Sequence, residues 1–282
     1  MRRLDRLRSW AASLIFLPVF AAILVIFDVA QRVARLAGSR PHEYVAGALQ
    51  VALVWSFRLC GTSIAEERAA GIDPRGRYIV ISNHQSMFDI PILGALLFWN
   101  FPKYISKRSL ARWIPSVSYN LRRGGHALID RGDAPSAVAT IRELGERVRA
   151  GRASAVIFPE GTRARRGALG GFRPAGTRAL LEAAPDTPVV PLAIDESWRL
   201  LEHNMLPVPW GVRVRVHVGA PIPRHPDEDP LAIIERARTE IETVLTRWRN
   251  GTAAEAAAPA SDRSHQGSTL DARPRARRVD TK

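Results

Sequence analysis

Cysteine is almost missing from this chain of 282 residues, in which Cys60 is the single example. One cysteine excludes an internal disulfide framework. The seven histidines are scattered, and none stands three or four residues from another histidine or from Cys60. The spacing typical of a structural zinc site is therefore missing too. We expect a protein of a reducing compartment, with no bound metal.

Several functional motifs are also missing. The chain has no glycine-rich phosphate loop, no dinucleotide-binding fingerprint and no Gly-x-Ser-x-Gly nucleophile elbow. It lacks a basic patch interleaved with aromatic residues and any nucleic-acid-binding motif. These absences count against a nucleic-acid-binding protein. Only the positive net charge of the chain would support that class.

Acidic residues are outnumbered, since 27 Asp and Glu face 41 Lys and Arg and leave a net charge of +14. The excess is spread along the chain and is not confined to a tail. Such a positive field suits an acidic lipid surface, a phosphate-bearing substrate or a nucleic acid, and charge alone does not choose among them. A general preference for arginine over lysine, of which there are only three, is the alternative without a functional meaning.

One long apolar run is present, at residues 11–27. As a helix it is about 26 Å long at about 1.5 Å per residue, slightly short of a hydrocarbon core of about 30 Å. Arginines flank it on both sides, so no inside–outside asymmetry is seen. We expect a membrane anchor that spans the bilayer or lies in its interface; a signal peptide and a buried core helix are the alternatives. A second stretch, Val45 to Cys60, is typical of an amphipathic helix.

From about residue 77 to 223 the pattern alternates between strands and helices, which predicts an α/β fold. The predicted strands are Tyr78–Ser82, Ala153–Phe158, Pro188–Ile194 and 212–218, and the predicted helices include Ile90–Trp99, one capped by Asp133, Thr177–Ala184 and one capped by Asp229. We expect N-terminal membrane-associated helices over residues 1–60, a catalytic domain over 61–250 and a disordered basic tail over 251–282.

Two short polar clusters stand where predicted strands end. Asn83 to Asp89 follow one apolar strand, and Pro159 to Arg163 follow another. In an open α/β sheet, the crevice at the carboxyl ends of the strands is where ligands bind. The clusters therefore predict a reactive site built from both strand ends.

The first cluster offers a base beside a carboxylate. Neutral histidine can take a proton from a hydroxyl, and a carboxylate can orient the ring and stabilise the imidazolium that forms. Residues five apart lie about 140° apart on a helix, so His84 and Asp89 meet only if the chain turns from strand to helix between them. Ser86 as a helix cap, with Asp89 three residues later, would make that turn. The plainer alternative is that Asp89 only favours the helix N-terminus.

The second cluster pairs a carboxylate with a fixed positive charge. Gly161 permits close backbone approach, and the Arg163 guanidinium suits forked recognition of phosphate. Between the clusters, an apolar strand ends in Asp130-Arg131 and would bring Arg131 to the same edge. An exposed turn with a surface Glu–Arg pair is the non-functional alternative for residues 160–163.

In this order, the segments resemble the glycerophospholipid acyltransferase family, whose best-known members convert lysophosphatidate to phosphatidate. The similarity covers residues 55–223. His84 and Asp89 match the catalytic dyad of the family's first block. The resemblance also implies a set of substrate-binding residues: Lys107, Arg131, Glu160, Gly161, Thr162, Arg163 and Pro191.

The resemblance implies an acyltransferase domain with a mixed, mostly parallel sheet flanked by helices, at the cytoplasmic face of a phospholipid membrane. It would move a fatty acyl group from acyl-CoA or acyl-carrier protein to the hydroxyl of 1-acylglycerol 3-phosphate, with no cofactor. Arg131 and Arg163 would hold the phosphate, and Glu160 a glycerol hydroxyl or an arginine. Glycerol 3-phosphate or a lyso-lipid such as lyso-ornithine lipid is the alternative acceptor. A hydrolase that uses the dyad on water, and a basic membrane-tethered binding protein, are alternatives from other classes.

Overall fold

A computed structural model describes residues 3–130 and 132–257. Its helices are α1 (Arg3–Leu36), α2 (Ser39–Ser56), α3 (Asp89–Leu96), α4 (Val117–Arg123), α5 (Ala134–Arg149), α6 (Pro174–Ala183) and α7 (Pro230–Ala257). Its strands are β1 (Ser63–Arg68), β2 (Ile79–Ser82), β3 (Pro102–Lys107), β4 (Ala127–Ile129), β5 (Ser154–Ile157), β6 (Val189–Asp195) and β7 (Arg213–Val218).

The strands form one sheet in the order β1-β7-β6-β2-β5-β3-β4. Neighbouring strands are parallel except β6 and β7, which are antiparallel. The predicted α/β fold with a mixed, mostly parallel sheet is therefore confirmed. Because β2 lies between β5 and β6, the polar segments that follow these three strands meet at one edge of the sheet.

The central strands form because their side chains are apolar on both faces. Every residue of β2, β5 and β6 is buried, as expected of parallel strands covered on both sides. In β7, Val214, Val216 and Val218 are buried while Arg213 is exposed, so one face of this strand is covered and the other is open.

The helices that cover the sheet begin where local chemistry predicts. Asp133 caps α5, since its carboxylate accepts from the Ser136 amide at 3.1 Å. The Asp229 carboxylate likewise accepts from the Leu231 amide at 3.0 Å at the start of α7. Helix α6 begins at Pro174, three residues before the predicted Thr177, because proline is well suited to the first helical turn.

The sequence patterns did not predict β1, β3 or α4. Strand β1 reads Ser-Ile-Ala-Glu-Glu-Arg, and only its second residue is even partly buried. Strand β3 begins with a proline and contains two lysines. Both strands are formed by pairing, with β7 and β5 respectively, and strand formation depends strongly on such neighbours.

Helix α1 is continuous through Pro18 and extends beyond both ends of the apolar run at residues 11–27. One side packs onto the rest of the compact unit that ends at Leu245, since Phe16 is fully buried. The Ser13 hydroxyl accepts from the Val208 amide at 2.8 Å. The other side exposes a row of apolar residues: Leu4, Leu7, Leu14, Ile15, Val25, Ile26, Val29, Val33 and Leu36.

The length and composition of α1 would allow it to cross a membrane. Its most apolar window of 18 residues has a mean hydropathy of 2.5, and only 17% of that window is buried. A core helix of a soluble protein would be mostly buried, so the exposed apolar side favours membrane contact. Helix α2 begins at Ser39, earlier than the predicted Val45.

Helix α7 continues through Ala257, so the predicted disorder is wrong for residues 251–257. Five of these seven residues are alanine or glutamate, which favour helix and allow α7 to continue. The rest of the predicted tail, residues 258–282, lies outside the described residues. The predicted division at residues 60 and 61 stays a prediction.

Candidate active site

The turn from β2 to α3 brings His84 and Asp89 into contact. The His84 Nδ1 and Asp89 Oδ2 atoms are 2.8 Å apart. Since a carboxylate accepts hydrogen bonds, we assign the ring proton to Nδ1, which leaves Nε2 unprotonated. The His84 side chain is partly exposed whereas that of Asp89 is fully buried. Such a pair can take a proton from a hydroxyl that approaches Nε2.

The Asp89 carboxylate is held in place from several sides. Its Oδ2 also accepts from the amides of Gln85 at 2.7 Å and Ser86 at 2.9 Å. Its Oδ1 accepts from the Ser197 hydroxyl at 2.5 Å. These bonds stabilise the buried charge and fix its direction toward the imidazole.

The predicted cap at Ser86 is only partly right. Helix α3 begins at Asp89, and Phe88 occupies the cap position without a side-chain bond. The Ser86 hydroxyl instead accepts from the Phe88 amide at 3.2 Å. The reciprocal half of the motif does form, because Asp89 reaches back to the Ser86 amide. The turn is thus made by the carboxylate that orients His84.

Glu160 supports the histidine from the neighbouring strand end. Its Oε1 accepts from the His84 amide at 2.7 Å, and its Oε2 accepts from the Gly170 amide at 2.9 Å. Burial raises the pKa of the Glu160 carboxyl, and the two amide bonds oppose that rise. We expected Glu160 to hold a glycerol hydroxyl or an arginine. In this structure both carboxylate oxygens accept from backbone amides, and a contact between Glu160 and the substrate stays a prediction.

Two glycines make this arrangement feasible. Gly161 has a φ of +66°, which suits a residue without a Cβ. A Cβ on Gly170 would lie 2.6 Å from the Glu160 Oε2 atom, so a larger residue would push the carboxylate away.

The Phe158 ring stacks on the His84 ring with centroids 4.2 Å apart, which restricts the imidazole further.

The end of β6 is tied to the same turn. The Asn83 amide group donates to the Ile194 carbonyl and accepts from the Ile194 amide, both at 2.8 Å. The Gln85 side chain donates to Asp195 Oδ1 at 3.0 Å. These bonds place Ser197 against Asp89.

The sequence reasoning missed Gln85, Gly170 and Ser197 as parts of the site. Ser197 was detectable, because Asp195 to Ser197 form a third polar cluster after an apolar strand. Nothing in the sequence marked Gly170, because its contact with Glu160 depends on the path of a loop.

The predicted substrate-binding residues fall into three groups. Lys107 ends β3 with an exposed side chain, and Thr162 and Arg163 are exposed in the loop after β5. Among the residues that the structure describes, Arg163 makes no hydrogen bond or ion pair, so its guanidinium is open to a ligand. Pro191 is buried inside β6 opposite Ile81, which does not support direct substrate contact. Arg131 lies outside the described residues.

Metal ligands are not gathered at this site. Within residues 3–130 and 132–257, no group of three or more His, Cys, Asp or Glu side chains is arranged to hold a metal ion.

A family model described as Acyltransferase matches residues 64–195. Lyso-ornithine lipid O-acyltransferase of Pseudomonas aeruginosa is 37% identical over 108 residues, which cover 38% of this chain and 40% of the relative. 1-Acyl-sn-glycerol-3-phosphate acyltransferase of Cocos nucifera is 29% identical over 184 residues, or 64% of this chain and 56% of the relative. The Escherichia coli enzyme of that name is 28% identical over 148 residues, or 52% and 59%.

The matches thus span about 40% to 60% of the length of these curated relatives. The crystal structure of the 1-acyl-sn-glycerophosphate (LPA) acyltransferase PlsC from Thermotoga maritima is also similar to this fold. Its TM-score is 0.67 at 20% sequence identity, and the match covers 86% of this chain and 99% of that chain. At this identity the likeness shows that the two chains share a fold.

Proposed function

Because this chain belongs to the glycerophospholipid acyltransferase family, we propose that it acylates the free hydroxyl of 1-acylglycerol 3-phosphate to give phosphatidate. The acyl donor would be acyl-CoA or acyl-carrier protein. The observation that carries the proposal is the 2.8 Å contact between His84 and Asp89 at the end of β2.

The chemistry follows from the orientation of the imidazole. His84 Nε2 takes the proton of the acceptor hydroxyl as its oxygen attacks the thioester carbonyl carbon. The carbon–sulfur bond then breaks, and the proton passes from His84 to the leaving thiolate. Asp89 stabilises the imidazolium between these steps. General acid–base catalysis by His84 is worth about 10²–10⁴ in rate. No covalent acyl-enzyme is needed, because the donor is already activated as a thioester.

Arg163 is the phosphate-binding residue that the described structure supports best. It is exposed beside the Glu160 turn, and a guanidinium can bind two phosphate oxygens at once. Lys107 at the end of β3 is proposed to add positive charge, and so is Arg131, which follows β4 in the sequence. The exposed apolar side of α1 would hold the enzyme on a phospholipid membrane, with its catalytic domain at the cytoplasmic face, where the acyl donors are.

A direct assay of the purified protein on vesicles tests this function. Loss of thioester only when lysophosphatidate is present supports the transferase. Loss without an acceptor would make the protein a hydrolase, and no loss with any acceptor would support a binding protein. Parallel assays with acyl-CoA and acyl-carrier protein identify the donor.

A second acceptor has specific support, since the relative from Pseudomonas aeruginosa is named a lyso-ornithine lipid O-acyltransferase. Lyso-ornithine lipid carries no phosphate, so Arg163 should matter less for it. With lysophosphatidate, Arg163→Ala should lower kcat/KM by about 10–100-fold through a higher KM. Arg149→Ala, which removes an exposed arginine at the end of α5, is the matched control. Faster acylation of lyso-ornithine lipid, with no effect of Arg163→Ala, would exchange the proposed acceptor for this one.

A further inference from the structure

A second cleft lies at the opposite edge of the sheet from the dyad. It has a volume of about 370 Å³ and is lined where α1 gives way to α2 and where β3 and β5 begin. Lys103, near the start of β3, is paired with Ala155 near the start of β5. His84 and Glu160, by contrast, follow the carboxyl ends of β2 and β5. The two sites are therefore separated by the length of the strands.

Half of the twelve residues that line the cleft are cationic. Six cationic side chains face it: Arg35, Arg40, Lys103, Arg123, Arg147 and Arg152. The one acidic residue in its lining is Glu43, which pairs with both Lys103 at 2.7 Å and Arg40 at 3.0 Å. In the described part of the chain, the other four arginines have no carboxylate partner within salt-bridge distance. The cleft thus holds more positive charge than its own residues neutralise.

A buried polar group also lines the cleft without a partner. His42 is only 1% exposed, and its Nε2 atom has no hydrogen-bond partner among the described residues. It lies in the first turns of α2, an 18-residue helix with no acidic residue in its first turn and no side-chain cap. The free amides of such a helix start favour an anion. A ligand with acceptor oxygens would complement both groups.

Neighbouring charges in the cleft act on one another. Burial lowers the pKa of the Lys103 ammonium, and Arg147 and Arg40 lower it further despite the Glu43 partner. Burial lowers the pKa of the His42 ring, with Lys103 and Arg35 adding to the effect. The same positive field therefore acts on groups from two separate elements, and a bound anion would relieve it.

We propose that this cleft binds a phosphate-bearing anion, the headgroup of a membrane phospholipid, at a site separate from the catalytic crevice. Several arginines suit forked contacts to phosphate oxygens. A lipid is favoured over a soluble phosphate because Val33 and Leu36, on either side of Arg35, are 61% and 89% exposed. Acyl chains could contact these side chains while the headgroup enters the cleft. The proposal does not depend on which acceptor is acylated.

The test measures binding of the full chain to phosphatidylcholine vesicles with and without phosphatidylglycerol. Arg123→Glu and Arg152→Glu should each weaken the phosphatidylglycerol-dependent binding by about tenfold, from loss of a charge-assisted contact and the added repulsion. Arg149→Glu makes the same change of charge on an exposed residue outside the cleft lining and should weaken binding by less than about twofold. Arg163→Ala should leave this binding unchanged, which separates the cleft from the proposed acceptor site.

Equal weakening by all three glutamate variants would overturn the proposal, because the lipid would then respond to overall charge alone. Titration of inorganic phosphate into the detergent-solubilised protein, followed by calorimetry, tests the source of the ligand. Phosphate binding that Arg123→Glu removes, without any effect of that variant on vesicles, would overturn the lipid assignment in favour of a soluble phosphate compound.

Discussion

The two edges of the sheet use charge in opposite ways. At the carboxyl edge, the buried carboxylates of Asp89 and Glu160 accept hydrogen bonds on both of their oxygens. At the amino edge, the cationic side chains of the cleft outnumber their single carboxylate partner, Glu43. Carboxylates that are hydrogen-bonded on both oxygens are preorganised and need no rearrangement during the reaction. A site with excess charge is stabilised when a ligand brings the opposite charge.

The comparison is tested most severely by the dyad. His84→Ala should lower kcat by about 10²–10⁴, because it removes the general base. Asp89→Asn should also lower kcat, since the charge that stabilises the imidazolium is lost. Because the two residues act as a unit, the double variant should be scarcely slower than His84→Ala. Steady-state rates of the three variants decide this: losses that multiply would show two independent residues, and near-normal turnover by His84→Ala would end the mechanism.

The sequence predicted well which strands carry the site and which polar residues follow them. Uniformly apolar runs define β2, β5 and β6, and the polar residues that follow them had to meet at one edge once those strands were parallel. The contact of His84 with Asp89 follows from the turn between β2 and α3, which the sequence also predicted. The role of Glu160 did not follow, because its partners are backbone amides, which carry no residue-specific signal. The basic cleft escaped prediction for a related reason, since its arginines come from α1, α2, α4, α5 and the loop after α5 and are distant in sequence.

Glu160→Gln would disturb the hydrogen bonds of the second buried carboxylate at the carboxyl edge. The amide side chain keeps one acceptor oxygen, so one of the two backbone amides of His84 and Gly170 loses its partner. Leaving a buried donor without a partner costs about 1–3 kcal/mol, and we expect kcat to fall by roughly tenfold as His84 loses its fixed position. Acceptor KM should change little. A higher KM with unchanged kcat would restore the direct substrate contact first expected of this residue.

The same variant should change how stability depends on pH. The folded-state pKa of Glu160 is raised by burial above the ordinary 4.5. Its contribution to the free energy of unfolding is therefore fully present below pH 4.5 and is lost as pH rises through the folded-state value. Denaturant titrations of the wild type and of Glu160→Gln at several pH values measure the free energy of unfolding of each. The wild-type value minus the variant value should fall as pH rises through this window. A wild-type advantage that grows with pH in that window would contradict the sign.

Ser197→Ala sharpens the comparison with a smaller effect. The variant removes one of the four hydrogen bonds that hold Asp89 while leaving His84, Gln85 and Ser86 in place. We expect kcat to fall about fivefold, from a net loss of about 1 kcal/mol, and the acid limb of the pH–rate profile to move. Ser197→Thr, which keeps the hydroxyl, should recover most of the rate. Equal rates for the Ala and Thr variants, with no shift in the profile, would give Ser197 a packing role only.

The smallest expected effect is in the core. The rate at which a reagent labels the Cys60 thiol shows whether a variant at either edge of the sheet has loosened the core. This thiol is fully buried, and burial raises its pKa to about 11, so a thiol reagent at neutral pH should react only when the core opens. If the edge variants act locally, Glu160→Gln, Ser197→Ala and Arg152→Glu should label within about twofold of the wild-type rate in native buffer. Fast labelling of any one of them would show that its effect on activity or lipid binding comes from a loosened core, and that variant would no longer bear on the comparison.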